Sequence, residues 1–280
     1  MLVYTKQKAL FIKYQIFILK FGLTPSTSFG NLMIKMAEES AKRSTALNNE
    51  LTLDRWEAAW TNDEARWHQD NGNETMWKHF PKLVAENFPD RQPIDLKVFV
   101  PLCGKAKDML LLHKMGFTVV GVEFASQPIK EFFEENLVDI RTDPAIASDQ
   151  KYTVSSDGKL IIGQGDLFGF TPENLPFAKY DIIWDRGSFE AMNDADRPKY
   201  AKLLSSLLTE EGFYFINTPD YDLSEYGGPP LAAQKDVIEN YFSDMNVELL
   251  DRTSMLNDYF KSHGLTRMDA LYHVMKWKAK

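Results

Sequence analysis

Apolar residues fall in short blocks along the chain, and their spacing switches between the helical period and the strand period. LTLDRWEAAW (51–60) places Trp56 and Trp60 one turn apart behind Thr52, a good capping residue, and predicts a helix. A second helix is expected to open at Pro81, which suits a first turn, and to stop before Pro89. KVFVPL (97–102) is a dense apolar run of strand length, and the CGK turn after it leads into AKDMLLLHKMG, an apolar-faced helix that Gly116 ends. TVVGVE (118–123) reads as the next buried strand, with a helix following from about Gln127 to Leu137.

KYTV and KLIIGQ flank Ser155-Ser156-Asp157-Gly158, a turn in which glycine supplies the positive φ, so a hairpin is predicted. YDIIWD (180–185) and GFYFIN (212–217) read as core strands separated by a helix near Arg197–Leu208. A helix near Gln234–Phe242 and strands at 247–250 and 271–277 complete the pattern. Strands alternating with helices predict an α/β fold, Rossmann-like and doubly wound. Its sheet should be mostly parallel, with helices on both faces and an N-terminal helical lid. Residues 51–280 are expected to form this one domain.

The first 35 residues are different: they carry Lys6, Lys8, Lys13, Lys20 and Lys35 and no acidic residue. Their apolar stretch, Tyr14 to Leu19, is too short for a membrane span or a secretory core. A mitochondrial presequence is usually rich in arginine, whereas the first arginine here is Arg43. Met36 opens an ordinary polar stretch. A disordered leader over 1–50 is expected, with organelle targeting or membrane-surface attachment before Met36 as the alternatives.

Composition narrows the partners. A formal net charge of −8 argues against nucleic acid, which needs a basic surface. The single cysteine, Cys103, can form no intramolecular disulfide and suits a reducing, cytoplasmic setting. The five histidines fall in no ligand spacing, so no metal site is expected. A monomer acting on a small molecule is the expectation.

Open parallel sheets bind ligands at the carboxyl ends of their strands. Glu123 ends the second strand nineteen residues after Gly104, close to the spacing of a glycine turn paired with an acid on a nucleoside's ribose. The competing reading is a carboxylate that merely ends an edge strand. Pyrophosphate binding uses GxGxxG, and the bulky PLCGKAKD (101–108) has one glycine, which favours S-adenosylmethionine over NAD. Asp166 either accepts the adenine amino group or caps the following turn. Asp185-Arg186-Gly187 ends a core strand and is expected to project toward the same crevice. Helical aromatics usually pack in cores, but Trp67 sits in the polar stretch TNDEARWHQDNG, where a ring face could meet a sulfonium. No Ser/His/Asp or Cys/His catalytic pair is evident, and Cys103 reads as a small buried residue.

With LDRWEAAW, RWHQDNG, VFVPLCGKAKDM, VVGVE, YDIIWDRGSFEAMN and YGGPP, the chain from about Leu51 onward resembles the thiopurine S-methyltransferase family. The resemblance implies a class I methyltransferase moving a methyl group from S-adenosylmethionine to an aromatic or heterocyclic thiol. It carries cofactor contacts onto Trp56, Trp60, Trp67, Leu102, Glu123, Asp166, Leu167 and Arg186. Trp67 and Arg186 would also face the substrate, with Arg186 supporting the reacting thiolate or ring nitrogen. Two departures bear on thiopurine preference: Asp166 replaces a serine of mammalian members, and Tyr259 stands near an arginine they carry. Methyl transfer to oxygen, nitrogen, selenium or halide, a nicotinamide dehydrogenase and a non-catalytic binding protein are the rival readings.

Overall fold

The computed structural model describes residues 51–141 and 151–279, so the expected leader and its alternatives lie outside the described residues. The strands are β1 (Lys97–Val100), β2 (Thr118–Glu123), β3 (Lys151–Val154), β4 (Leu160–Gln164), β5 (Tyr180–Arg186), β6 (Leu208–Asp220), β7 (Met245–Ser254) and β8 (Asp269–Trp277). The helices are α1 (Leu53–Thr61), α2 (Glu74–Asn87), α3 (Lys107–Lys114), α4 (Ser126–Glu135), α5 (Arg197–Leu207), α6 (Lys235–Tyr241) and the short α7 (Asp258–Ser262).

All eight strands join one sheet in the order β3-β4-β2-β1-β5-β6-β8-β7. The central run β4-β2-β1-β5-β6 is parallel, with antiparallel strands added at both ends. Strand order reverses between β1 and β5, which makes their carboxyl ends the switch point where a ligand crevice forms.

Both faces of the sheet are covered, so the central strands are mostly apolar on both. Val98 and Val100 of β1 pack with Phe80 of α2, Leu112 of α3 and Phe132 of α4, while Phe99 between them packs with Leu204 of α5 and Ile238 of α6. Alternate residues of one strand thus enter two separate cores.

Several elements differ from the expected ones. α2 begins at Glu74, because Asn73 caps it by accepting from the Met76 N–H at 2.8 Å. Pro81 lies inside this helix on its exposed side, where the ring has room. β1 ends at Val100, and the turn after it needs positive φ at Leu102 (40°) and Gly104 (49°). β6, β7 and β8 extend beyond the expected strands because antiparallel pairing runs from Phe213↔Lys276 to Asp220↔Asp269 and on across to β7. α7, capped by Asn257, is too short to show a helical period. No helix among the described residues is long and apolar enough to cross a membrane.

Candidate active site

The turn after β1 and the end of β2 are held together by one carboxylate. Glu123 Oε2 accepts from the Gly104 N–H at 2.9 Å, and Oε1 accepts from the Ala125 N–H at 2.8 Å. Burial pushes this acid up, opposed by the backbone donors of Ala125, Gly104 and Phe124. β2 pairs with both β1 and β4, so Glu123 ends an interior strand, which removes the edge-strand reading. A carboxylate offers about four acceptor positions, so these backbone donors leave it some capacity for a ligand. A Cβ on Gly104 would lie 2.7 Å from Cζ2 of Trp60, so this indole covers the turn and only glycine fits beneath it. Cys103 is buried against Gly121, and its thiol is pushed well up by burial, as suits a packing residue.

Asp166 caps the single turn Leu167–Gly169 by accepting from the Phe168 N–H at 2.9 Å, and its side chain is exposed. The side chain of Leu167 is buried in the core on the α5 side, and half-buried Leu102 packs against the same core.

The structure brings three tryptophans together ahead of β1. Trp67 meets Trp56 edge-on at 5.4 Å and Trp60 edge-on at 5.6 Å between ring centroids. Arg186, the last residue of β5, donates from Nη2 to the Trp67 carbonyl at 2.6 Å. Beside them, the Arg66 guanidinium stacks 4.9 Å over the Tyr259 ring. His68 is held below its ordinary pKa by burial and then by the Lys105 charge, so it is neutral at pH 7.

Asp185 does not join Arg186 at the crevice, contrary to the expectation. It is fully buried, accepting from the Tyr200 hydroxyl at 2.6 Å and the Tyr214 hydroxyl at 2.5 Å. Neighbours on a strand point to opposite faces, so an arginine turned one way puts the aspartate on the other.

Sequence reasoning missed Asp108, in the first turn of α3. Its Oδ1 accepts from the Asn73 N–H (2.8 Å) and Trp77 Nε1 (3.1 Å), and its Oδ2 accepts from Trp184 Nε1 (3.2 Å). The signal was there: one acid amid the apolar residues that α3 turns to the sheet. Asn73 Nδ2 adds a bond to the Tyr272 hydroxyl at 3.0 Å, so the segment that follows α1 is pinned where it meets the core.

A parallel sheet with a switch point, one glycine turn after its first strand and a buried acid ending the second define a class I S-adenosylmethionine-dependent methyltransferase. The finer assignment comes from relatives. The family profile of thiopurine S-methyltransferase (TPMT) matches residues 51–279, and the chain belongs to that family. It is 33% identical over 233 residues to a probable thiopurine S-methyltransferase of Danio rerio, covering 82% of this chain and 97% of that one. To the thiopurine S-methyltransferase of Equus caballus it is 32% identical over 221 residues, covering 78% and 86%. The fold is similar to that of the Burkholderia thailandensis 1,6-didemethyltoxoflavin-N1-methyltransferase, solved with its namesake ligand and S-adenosylhomocysteine bound. That match has a TM-score of 0.52 at 13% identity and covers 82% of this chain and 88% of the other. The protein is an S-adenosylmethionine-dependent methyltransferase.

Proposed function

We propose that the acceptor atom is the sulfur of a small aromatic or heterocyclic thiol, methylated as its thiolate. The observation that carries this reading is the hydrogen bond of Arg186 to the neutral carbonyl of Trp67. A guanidinium has five N–H donors, and one bonded to a carbonyl keeps its positive charge available to an anion. The carbonyl it holds belongs to Trp67, whose ring packs with Trp56 and Trp60, and such rings suit a flat apolar ring on the same molecule.

Bound S-adenosylmethionine supplies an electrophilic methyl group on a sulfonium. Glu123 would accept from the ribose on the acceptor capacity that its backbone clamps leave open. Asp166 would take the adenine amino group, flanked by Leu102 and Leu167. Trp56, Trp60 and Trp67 would close over the donor, a ring face being favourable for a sulfonium. Arg186 would hold the thiolate in line with the methyl group, and the tryptophan cover would exclude water. A thiolate is already a good nucleophile, so alignment and desolvation are the main demands on the protein. The net charge of −8 supports a small-molecule enzyme with no nucleic-acid partner, and the lone Cys103 suits a reducing, cytoplasmic setting.

The test is methyl transfer from labelled S-adenosylmethionine to a panel of aromatic thiols, phenols and amines. Thioethers are the expected products; methylated phenols or amines in their place would overturn the thiol assignment.

A further inference from the structure

Behind the Arg186 turn lies a buried carboxylate that the proposed chemistry does not use. Glu190 follows β5 in a single helical turn (Phe189–Ala191) and is 8% exposed. Its Oε1 accepts from the Gly187 N–H at 3.0 Å, and its carbonyl accepts from the Leu231 N–H at 2.9 Å. Gly187 has φ of 78°, so the residue next to Arg186 bends the chain as few others could. One side chain therefore fastens that bend, and its backbone ties the bend to the Gly228–Leu231 loop. Glu190 Oε2 is buried with no hydrogen-bond partner.

The charged groups around Glu190 are Asp185 and Arg186 from β5, Arg197 from α5 and Tyr214 from β6. Arg197 gives its one hydrogen bond to Asp194 at 3.0 Å, and its Nε and Nη2 are buried and unpartnered. Tyr214 is pushed far above its ordinary pKa by burial and stays neutral. Burial raises Asp185 as well, opposed by the two tyrosine hydroxyls, the Phe189 N–H and the Ser188 hydroxyl, donors that favour its charged form. Glu190 has backbone donors alone, its own N–H and that of Gly187, and the Asp185 charge beside it, so of these two acids it is the one raised into the neutral range.

We propose that Glu190 is a positioning residue for Arg186: its ionised carboxylate clamps the Gly187 turn that aims the guanidinium, and protonation slackens that clamp. The inference rests on the assignment of Arg186 to the acceptor. Burial, followed by the Asp185 charge, raises Glu190 to about 7, so the change falls within the working pH range. An ionised acceptor binds an N–H roughly twice as strongly as a neutral one, which gives the two states different grips on Gly187. The group that changes charge is Glu190, and what changes at Arg186 is its placement.

The experiment uses the full chain with pentafluorothiophenol, a thiol already ionised from pH 5.5 to 9. Wild-type kcat/KM is expected to rise several-fold with a midpoint near 7, chiefly through kcat. Glu190→Gln should give a flat profile at the wild-type acid level, and Glu190→Asp should restore an inflection. A parallel readout needs no turnover: the Gly187 amide resonance of 15N-labelled protein should titrate near pH 7 in wild type and not in Glu190→Gln. A wild-type inflection that survives in Glu190→Gln, or a Gly187 amide indifferent to pH, would overturn the clamp. Absence of thioether product at pH 9 would instead overturn the thiol assignment, with the amide titration still deciding the clamp.

Discussion

Arg186 and Trp67 are joined by a 2.6 Å hydrogen bond that fastens the segment ahead of β1 to the end of β5. The group proposed to hold the acceptor is therefore also the group that holds part of its cover. Arg186→Lys keeps the charge but loses the planar fork that serves a carbonyl and an anion together. With a soluble aromatic thiol, kcat/KM is expected to fall by roughly 10-fold or more, the scale of about 1.4 kcal/mol or above. Wild-type kinetics in this variant would leave Arg186 a purely structural tie.

Glu123 joins two backbone amides and, on the proposed reading, the ribose of the cofactor. Glu123→Ala should weaken S-adenosylhomocysteine binding by about 1.5–3 kcal/mol, the range for hydrogen bonds to a charged group. Calorimetry reads this directly. Unchanged affinity in a folded variant would confine the residue to its Gly104 and Ala125 clamps.

Trp67 packs edge-on against two indoles, an arrangement that phenylalanine can largely keep and alanine cannot. The sulfonium charge disappears during transfer, so the ring should assist binding more than the chemical step. Trp67→Ala is expected to raise KM for both substrates with a smaller loss in kcat, and Trp67→Phe to be mild. Hydrogen exchange over residues 56–73 should slow when S-adenosylhomocysteine binds. Exchange that is slow and ligand-independent would make Trp67 ordinary packing.

Stability should depend on pH through Glu190. Its folded pKa, raised to about 7 by burial and Asp185, exceeds the ordinary 4.5, so the folded chain binds a proton that the unfolded chain has released. Stability then falls as pH rises from 4.5 to 7 and levels off above, by about 3 kcal/mol in all. Glu190→Gln should be more stable than wild type at pH 8, with the gain vanishing near pH 4.5. Urea unfolding at four pH values measures it, and a pH-independent difference would refute the linkage.

A chain beginning at Met36 should match the full chain in melting temperature and methyl transfer. A drop of several degrees would show that residues 1–35 pack on the domain.

The parallel centre of the sheet was legible because strands buried on both faces are dense in apolar residues, and Glu123 stood out by its distance from Gly104. What failed did so for local reasons. Pro81 suggests a helix start, whereas Asn73, eight residues earlier, is the better cap. Reading Asp185 and Arg186 as one unit ignored the alternation of strand side chains. The group in which Arg252 and Arg267 each bridge Asp220 and Asp269 joins residues scattered over β6, β7, β8 and the loop before β8, and no spacing marks it. Glu190 was passed over because a lone acid in a turn reads as solvated until its burial is seen.

The carboxylate of Asp108 also sets an order of assembly. It receives donors from Asn73 and Trp77, made early, and from Trp184, which lies 76 residues beyond it. The surface that buries Met76 and Phe80 of α2 includes Ile182, Phe213 and Phe215 of β5 and β6, which the ribosome makes much later. At about 5–20 residues per second, α2 waits on the order of ten seconds with its apolar face uncovered. Its docking is thus a late event in the life of the nascent chain, and the interval is one in which a chaperone would find a binding face.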